Sequence, residues 1–206
     1  TKLALVISLL ALTGTLSAAT YYFDWDGSAG TSWGTSDNWT PATGAVGLLP
    51  DDTEDVARFS NVSAANQTPT LDQDRYIKGV YFTNSGWNLN GTNTLRVGAS
   101  GVGAAASAGT NTINTKVSSS TGSTTSWNIQ AGSTVVFTNS LNLTRTSNMC
   151  TIKIGDGTMR IAGSVANDAN VGAVTFGWEI RAGTLELART GNVALTAKVG
   201  ITGTGV

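Results

Sequence analysis

Trp127-Asn128-Ile129-Gln130-Ala131-Gly132 returns as Trp178-Glu179-Ile180-Arg181-Ala182-Gly183, with a looser copy, Ile152-Lys153-Ile154-Gly155-Asp156-Gly157, between them. The closing glycines lie 25 and then 26 residues apart. An apolar-x-apolar triplet opened by a Thr follows each: Val135-Val136-Phe137, Met159-Arg160-Ile161 and Leu185-Glu186-Leu187. A period of this size belongs to solenoids, in which each repeat buries its face only against its neighbours. Such a repeat holds three short strands and three turns, one coil of a parallel β-helix with coils about 4.8 Å apart.

Alternation along each strand sets what points where. Val135/Phe137, Met159/Ile161 and Leu185/Leu187 are expected inward, and Val136, Arg160 and Glu186 outward. Arg160 and Glu186 then sit side by side on successive rungs as an exposed ion pair, worth well under about 1 kcal/mol. Trp127 and Trp178, two rungs apart, are expected on one face.

Working back toward the N-terminus, short apolar strands recur at 70–71, 76–77, 80–82, 87–89 and 94–97. The Gly/Ala stretch from Gly98 to Gly109 reads as a flexible loop or loose corner, the least ordered part of the mature chain. Residues 20–60 are aromatic and turn-rich. Tyr21, Phe23 and Trp25 alternate with Tyr22, Asp24 and Asp26, a strand with one buried face, and Trp33 and Trp39 lie in Gly/Ser/Asn loops. The end of a solenoid exposes a sheet edge and an apolar core, so it needs a cap. The expected layout is a leader at 1–19, an aromatic cap at 20–60 and rungs at 61–206, truncated at the C-terminus. The uncapped last rung is expected to fray and to self-associate end to end.

Composition agrees with an all-β fold. Of 206 residues, 40% are hydrophobic and only 12% charged, and Thr, Asn, Ser and Gly fill the difference. A net charge of -1 gives no pull toward nucleic acid. The acids concentrate before residue 87 and the bases after it, as solvated strand faces. Cys150 is alone and sits in an apolar run, the setting of a small buried hydrophobe.

Lys2, the apolar run from Leu3 to Leu12 and the ending Ser17-Ala18-Ala19 fit a secretory leader cleaved after Ala19. The run is too short for a membrane span. The mature protein is therefore expected outside the cytoplasm, with no transmembrane segment. Secretion with one cysteine argues against a disulfide scaffold.

The stretch Ala182-Gly183-Thr184-Leu185-Glu186-Leu187 resembles the core of the autotransporter-associated β-strand repeat. Trp25-Asp26-Gly27, Trp33, Asn38-Trp39, Pro50-Asp51-Asp52 and Val56-Ala57-Arg58-Phe59 resemble, in order, the opening of many such exported bacterial proteins. The family's Asn-x-Tyr-Thr-Gly-Gly-Thr run is absent here. The resemblance implies a right-handed parallel β-helix carried to the bacterial surface as a structural or adhesive passenger.

Histidine is absent, which excludes Ser-His-Asp and Cys-His catalysis and histidine metal sites. Carboxylates remain. Asp24/Asp26, Asp51/Asp52/Asp55 and Asp72/Asp74 could ligate Ca²⁺ through oxygen, or serve as acidic turns, and Asp72 and Asp74 are expected to share one side of a strand. No other cofactor is implied. β-Helices also carry polysaccharide lyases and hydrolases, an analogy of fold alone. The helical half offers only Asp156, Asp168, Glu179 and Glu186 for the two carboxyls a glycosidase needs, with no cluster. Sugar rings stack on flat aromatics, so Trp33, Trp39 and Trp87 are candidates for glycan contact as well as for core packing. The expectation is a non-enzymatic solenoid that meets extracellular glycans or neighbouring cells. A polysaccharide-active enzyme and a glycan-binding module are the alternatives.

Overall fold

The computed structural model describes residues 19–42, 44–45, 47–119, 124–142, 151–163, 178–190 and 199–201. The leader up to Ala18, Cys150 and Asp168 lie outside them. The described chain is nearly all strand. In order these are β1 (Tyr21–Trp25), β2 (Trp39–Pro41), β3 (Asp55–Phe59), β4 (Arg75–Phe82), β5 (Asn88–Leu89), β6 (Thr94–Ala104), β7 (Gly109–Ile113) and β8 (Lys116–Ser119). Then come β9 (Thr125–Asn128), β10 (Ser133–Phe137), β11 (Leu141–Asn142), β12 (Thr151–Ile154), β13 (Thr158–Gly163), β14 (Trp178–Ile180), β15 (Thr184–Arg189) and β16 (Val199–Ile201). One 3-10 turn, Ser36–Asn38, precedes β2.

The strands stack in parallel as a β-solenoid of about 4 turns with an aromatic cap. Three sheets form its walls: β11-β8-β6-β4-β3-β1-β2, β15-β13-β10-β7-β5 and β16-β14-β12-β9. The first and third are linked, because β6 meets the rung of β9 through the Ala104–Ile129 bridge. Among the described strands only β2 runs antiparallel, closing the edge against β1 and ending on Pro41, which has no N–H. Strand β3 pairs with the cap strand β1 and with the rung strand β4, so cap and rungs share one hydrogen-bonded ladder.

The triplets align as their sequence implies. Val135, Met159 and Leu185 stand in register, as do Phe137, Ile161 and Leu187. Val135, Phe137, Met159 and Ile161 are buried, Leu185 is partly so, and Leu187 on the outermost described strand is 55% exposed. Arg160 and Glu186 pair across that ladder at 3.5 Å, both exposed.

The neighbouring wall departs from the sequence repeat. Trp127 stands beside Lys153, which stands beside Ile180, while Trp178 takes the position of Thr151 and Thr125. The two tryptophans are therefore not equivalent in the stack. The slip is absorbed at the corner, where the connection Trp127–Thr134 contracts to Lys153–Thr158 and then to Ile180–Thr184. Lys153 thereby takes a core position and is fully buried. Its ammonium donates to the carbonyls of Gly155 and Ala182, the latter at 2.8 Å, which satisfies the shortened corners.

The Gly98–Gly109 stretch is not a loose loop. Most of it lies in β6, the longest strand, inside the seven-stranded sheet. Its glycines are packing residues. Gly101 has φ +59, and a Cβ there would run into the indole of Trp127. A Cβ at Gly103 would run into the ring of Tyr81. Between Ile77 and Gly79 the register slips, so β6 bulges at Ala99 and Ser100 as it bends from one wall to the next.

The core is richest in aromatic rings at the N-terminal end. Trp39 meets Trp25 and Trp33 edge to face, with centroids 4.9 and 4.7 Å apart. Phe59 stacks on Phe82 at 5.3 Å and meets Trp87 at 5.2 Å. Further along, Trp127 stacks on Phe137 at 5.3 Å. Each ring removed from water contributes roughly 1.5–3 kcal/mol.

Candidate functional site

The tryptophans considered for sugar contact are core residues. Trp33 is 0% exposed, Trp39 4% and Trp87 1%. Their indole N–H groups donate to the carbonyls of Pro50 (3.1 Å) and Trp33 (2.8 Å) and to Asn84 Oδ1 (2.7 Å). No ring face is left for a saccharide. Trp33 lies in a turn as expected, whereas Trp39 opens strand β2, and both side chains fold inward because a solenoid end needs large apolar groups to cover it.

The carboxylates considered for calcium hold turns and ion pairs. Asp55 is buried, and its Oδ2 accepts the backbone N–H groups of Asp51 (3.2 Å) and Asp52 (3.1 Å). Burial raises its pKa above the usual value; these two hydrogen bonds oppose the rise. Asp52 accepts from Thr53. Asp72 and Asp74 are not on a strand but in the bend before β4, and they part company. Asp72 accepts from Arg75 at 2.9 and 3.1 Å, and Asp74 accepts the N–H of Thr94 on the next rung at 2.7 Å. Asp51 approaches the same guanidinium at 3.9 Å. Among the described residues no three His, Cys, Asp or Glu side chains converge as a metal site. Glu179 and Glu186 are engaged with Arg181 (2.8 Å) and Arg160 on separate walls.

The structure assembles a different site on the outer face of the first rungs. Two rows of residues run across the strands there. One row is Tyr22, Val56, Gly79 and Gly101; the other is Asp24, Arg58, Tyr81 and Gly103. Four strands at about 4.8 Å spacing make each row roughly 14 Å long. Between and beside them lies an open groove of about 300 Å³, lined by Tyr22, Val56, Arg58, Tyr81, Thr83 and Ser100, with Val80 beneath. A side chain at Gly79 would run into Ser100 at the rim, and Tyr81 lies down over Gly103.

The polar group of the groove is a fixed pair. Arg58 grips Asp24 with two parallel hydrogen bonds, Nε to Oδ1 at 2.6 Å and Nη2 to Oδ2 at 2.5 Å, and Ser60 donates to Oδ1 at 2.7 Å. Burial pushes the Asp24 carboxyl up, but the hydrogen bonds from Arg58 and Ser60 and the guanidinium charge outweigh it, so its pKa lies below the usual value. The hydrogen bond to Asp24 in turn raises the pKa of Arg58. The guanidinium also lies over the Tyr22 ring, 5.1 Å from the centroid. Tyr22 is 38% exposed.

Sequence reasoning placed Tyr22 and Asp24 on the outer face of β1 but did not join them to Arg58 and Tyr81. The parity was visible, since Arg58 alternates with Ala57 and Phe59, and Tyr81 with Val80 and Phe82. The register was not, because the first rungs are joined by connections of unequal length. No helix among the described residues is long and apolar enough to cross a membrane. A scan of protein-family models gave no match, and searches of curated proteins and of solved structures also gave none.

Proposed function

We propose that this chain is a secreted, surface-exposed bacterial β-solenoid that acts as a structural and adhesive passenger rather than as an enzyme. The observation that supports this most is the continuous parallel stack, in which each rung buries its inward row against the next and turns a polar row outward. A stack of this kind projects a repeated surface over a distance, which is what a stalk does. The carboxylates near one another are engaged in turn and ion-pair chemistry, as described above, and that role suits a scaffold. The leader-like residues 1–19 and the resemblance to exported repeat proteins support the location.

The test is a binding screen of the purified chain against whole cells, matrix polymers and glycans, run beside reducing-end and unsaturated-product assays. Binding without product is the expected result. Product formation would replace the proposal with a polysaccharide-active enzyme.

A further inference from the structure

We propose that the groove between Tyr22 and Tyr81 is a binding site for an uncharged oligosaccharide. This deepens the adhesive reading, on which its biological setting rests, by naming the contact and its chemistry. Three features of the groove select that ligand class. Tyr22 and Tyr81 line the groove on either side of Val56, so two aromatic rings flank the space a sugar ring would enter. The Asp24–Arg58 pair supplies both an acceptor and a donor at one place. Nη1 of Arg58 makes no hydrogen bond among the described residues, and Asp24 Oδ2 accepts only from Arg58. A sugar hydroxyl both donates and accepts, so one diol can use the two together.

Charge decides against other ligands of similar shape. The pair is neutral as a unit, and an anion would have to draw Arg58 away from a carboxylate that already holds it twice. Glu54 and Asp26 lie in the same region, and the nearby Lys78 is held by Glu54 at 3.1 Å. A single-stranded nucleic acid stacks on aromatics too, but it needs a basic groove to carry its phosphates, and this one is not basic. The row length of roughly 14 Å suits a short stretch of polymer rather than a single ring.

The purified chain would be titrated calorimetrically with neutral oligosaccharides (cello-, xylo-, manno- and chito-oligomers), with uronate oligomers and with oligothymidylate. Binding of at least one neutral series is expected, weakened about tenfold by Tyr22→Ala and by Tyr81→Ala, the loss of one stacking face. Tyr81 also covers Gly103, so Tyr81→Ala is paired with Ser100→Gln, which crowds the exposed rim and removes no buried contact. Ser100→Gln should weaken binding while leaving the melting curve in place. Arg160→Gln, on another wall, should leave binding unchanged. Preference for uronates or oligothymidylate would overturn the proposal, as would neutral binding insensitive to Tyr22→Ala and Ser100→Gln. If the chain adheres to cells or matrix but takes no neutral oligosaccharide, the groove proposal fails and the adhesive reading stands. If it does neither, both fail.

Discussion

The two ends of the described stack solve one packing problem differently. The first coils are filled with rings: Trp25, Trp33, Trp39, Phe59, Phe82 and Trp87. The later coils carry one ring pair among the described residues, Trp127 on Phe137, and are otherwise filled with Val135, Met159, Ile161 and the stem of Lys153. At the N-terminal end the connections between rungs vary, and large rings with polar handles fill an irregular space and tie it to loop carbonyls. In the later coils the ladder through Thr134, Thr158 and Thr184 keeps the repeat register, and that register does the same task mostly with smaller side chains. Irregular connections are thus matched by a higher aromatic content, and the regular ladder makes do with less.

The sharpest way to break this comparison is at the cap. Trp39→Ala removes contacts to Trp25, Trp33 and Phe59 at once and should cost about 3–5 kcal/mol, read by urea unfolding. A small loss would mean that the cap folds apart from the rungs. In the later coils, Ile161→Ala should cost about 2–5 kcal/mol, whereas Leu187→Ala, at the equivalent position one rung on, should cost about 0.5 kcal/mol or less. Equal effects would show that β15 is covered in solution, as end-to-end stacking requires.

Lys153 sharpens the contrast through pH. Burial lowers its pKa to about 8, with the charge of Asp156 opposing the drop. Between that value and the unfolded value of about 10.4, the unfolded chain holds more protons than the folded one, so stability rises with pH across this window. Below pH 8 both states are protonated and the contribution is flat. The gain of wild type relative to Lys153→Met from pH 8 to 10 should approach, and not exceed, about 3 kcal/mol. A flat difference would mean that the carbonyls of Gly155 and Ala182 keep the ammonium charged throughout. The smallest effect is expected for the Arg160–Glu186 pair, where a double-mutant cycle should give a coupling below about 1 kcal/mol that vanishes in high salt.

What the sequence made legible follows the same division. The ladder through Thr134, Thr158 and Thr184 could be read from three aligned triplets, down to the Arg160–Glu186 contact. The wall carrying Trp127 could not, because two similar phrases drew the eye into a register that the corners do not keep. Lys153 in a core row was hidden for the same reason: its neighbours are carbonyls of shortened turns, which have no side-chain pattern. The Gly98–Gly109 stretch was misread because glycine content alone does not separate a loose loop from a strand pressed against Trp127 and Tyr81. The groove at Tyr22 needed the stacking of four strands whose spacing along the chain is uneven.

Strand β2 has one more consequence. It is the only antiparallel member of its ladder, and its last residue, Pro41, brings no N–H to the outside. A newcomer adding at this edge would meet reversed polarity and a missing donor. The cap thus closes this end of the ladder by its own chemistry and disfavours templated addition there.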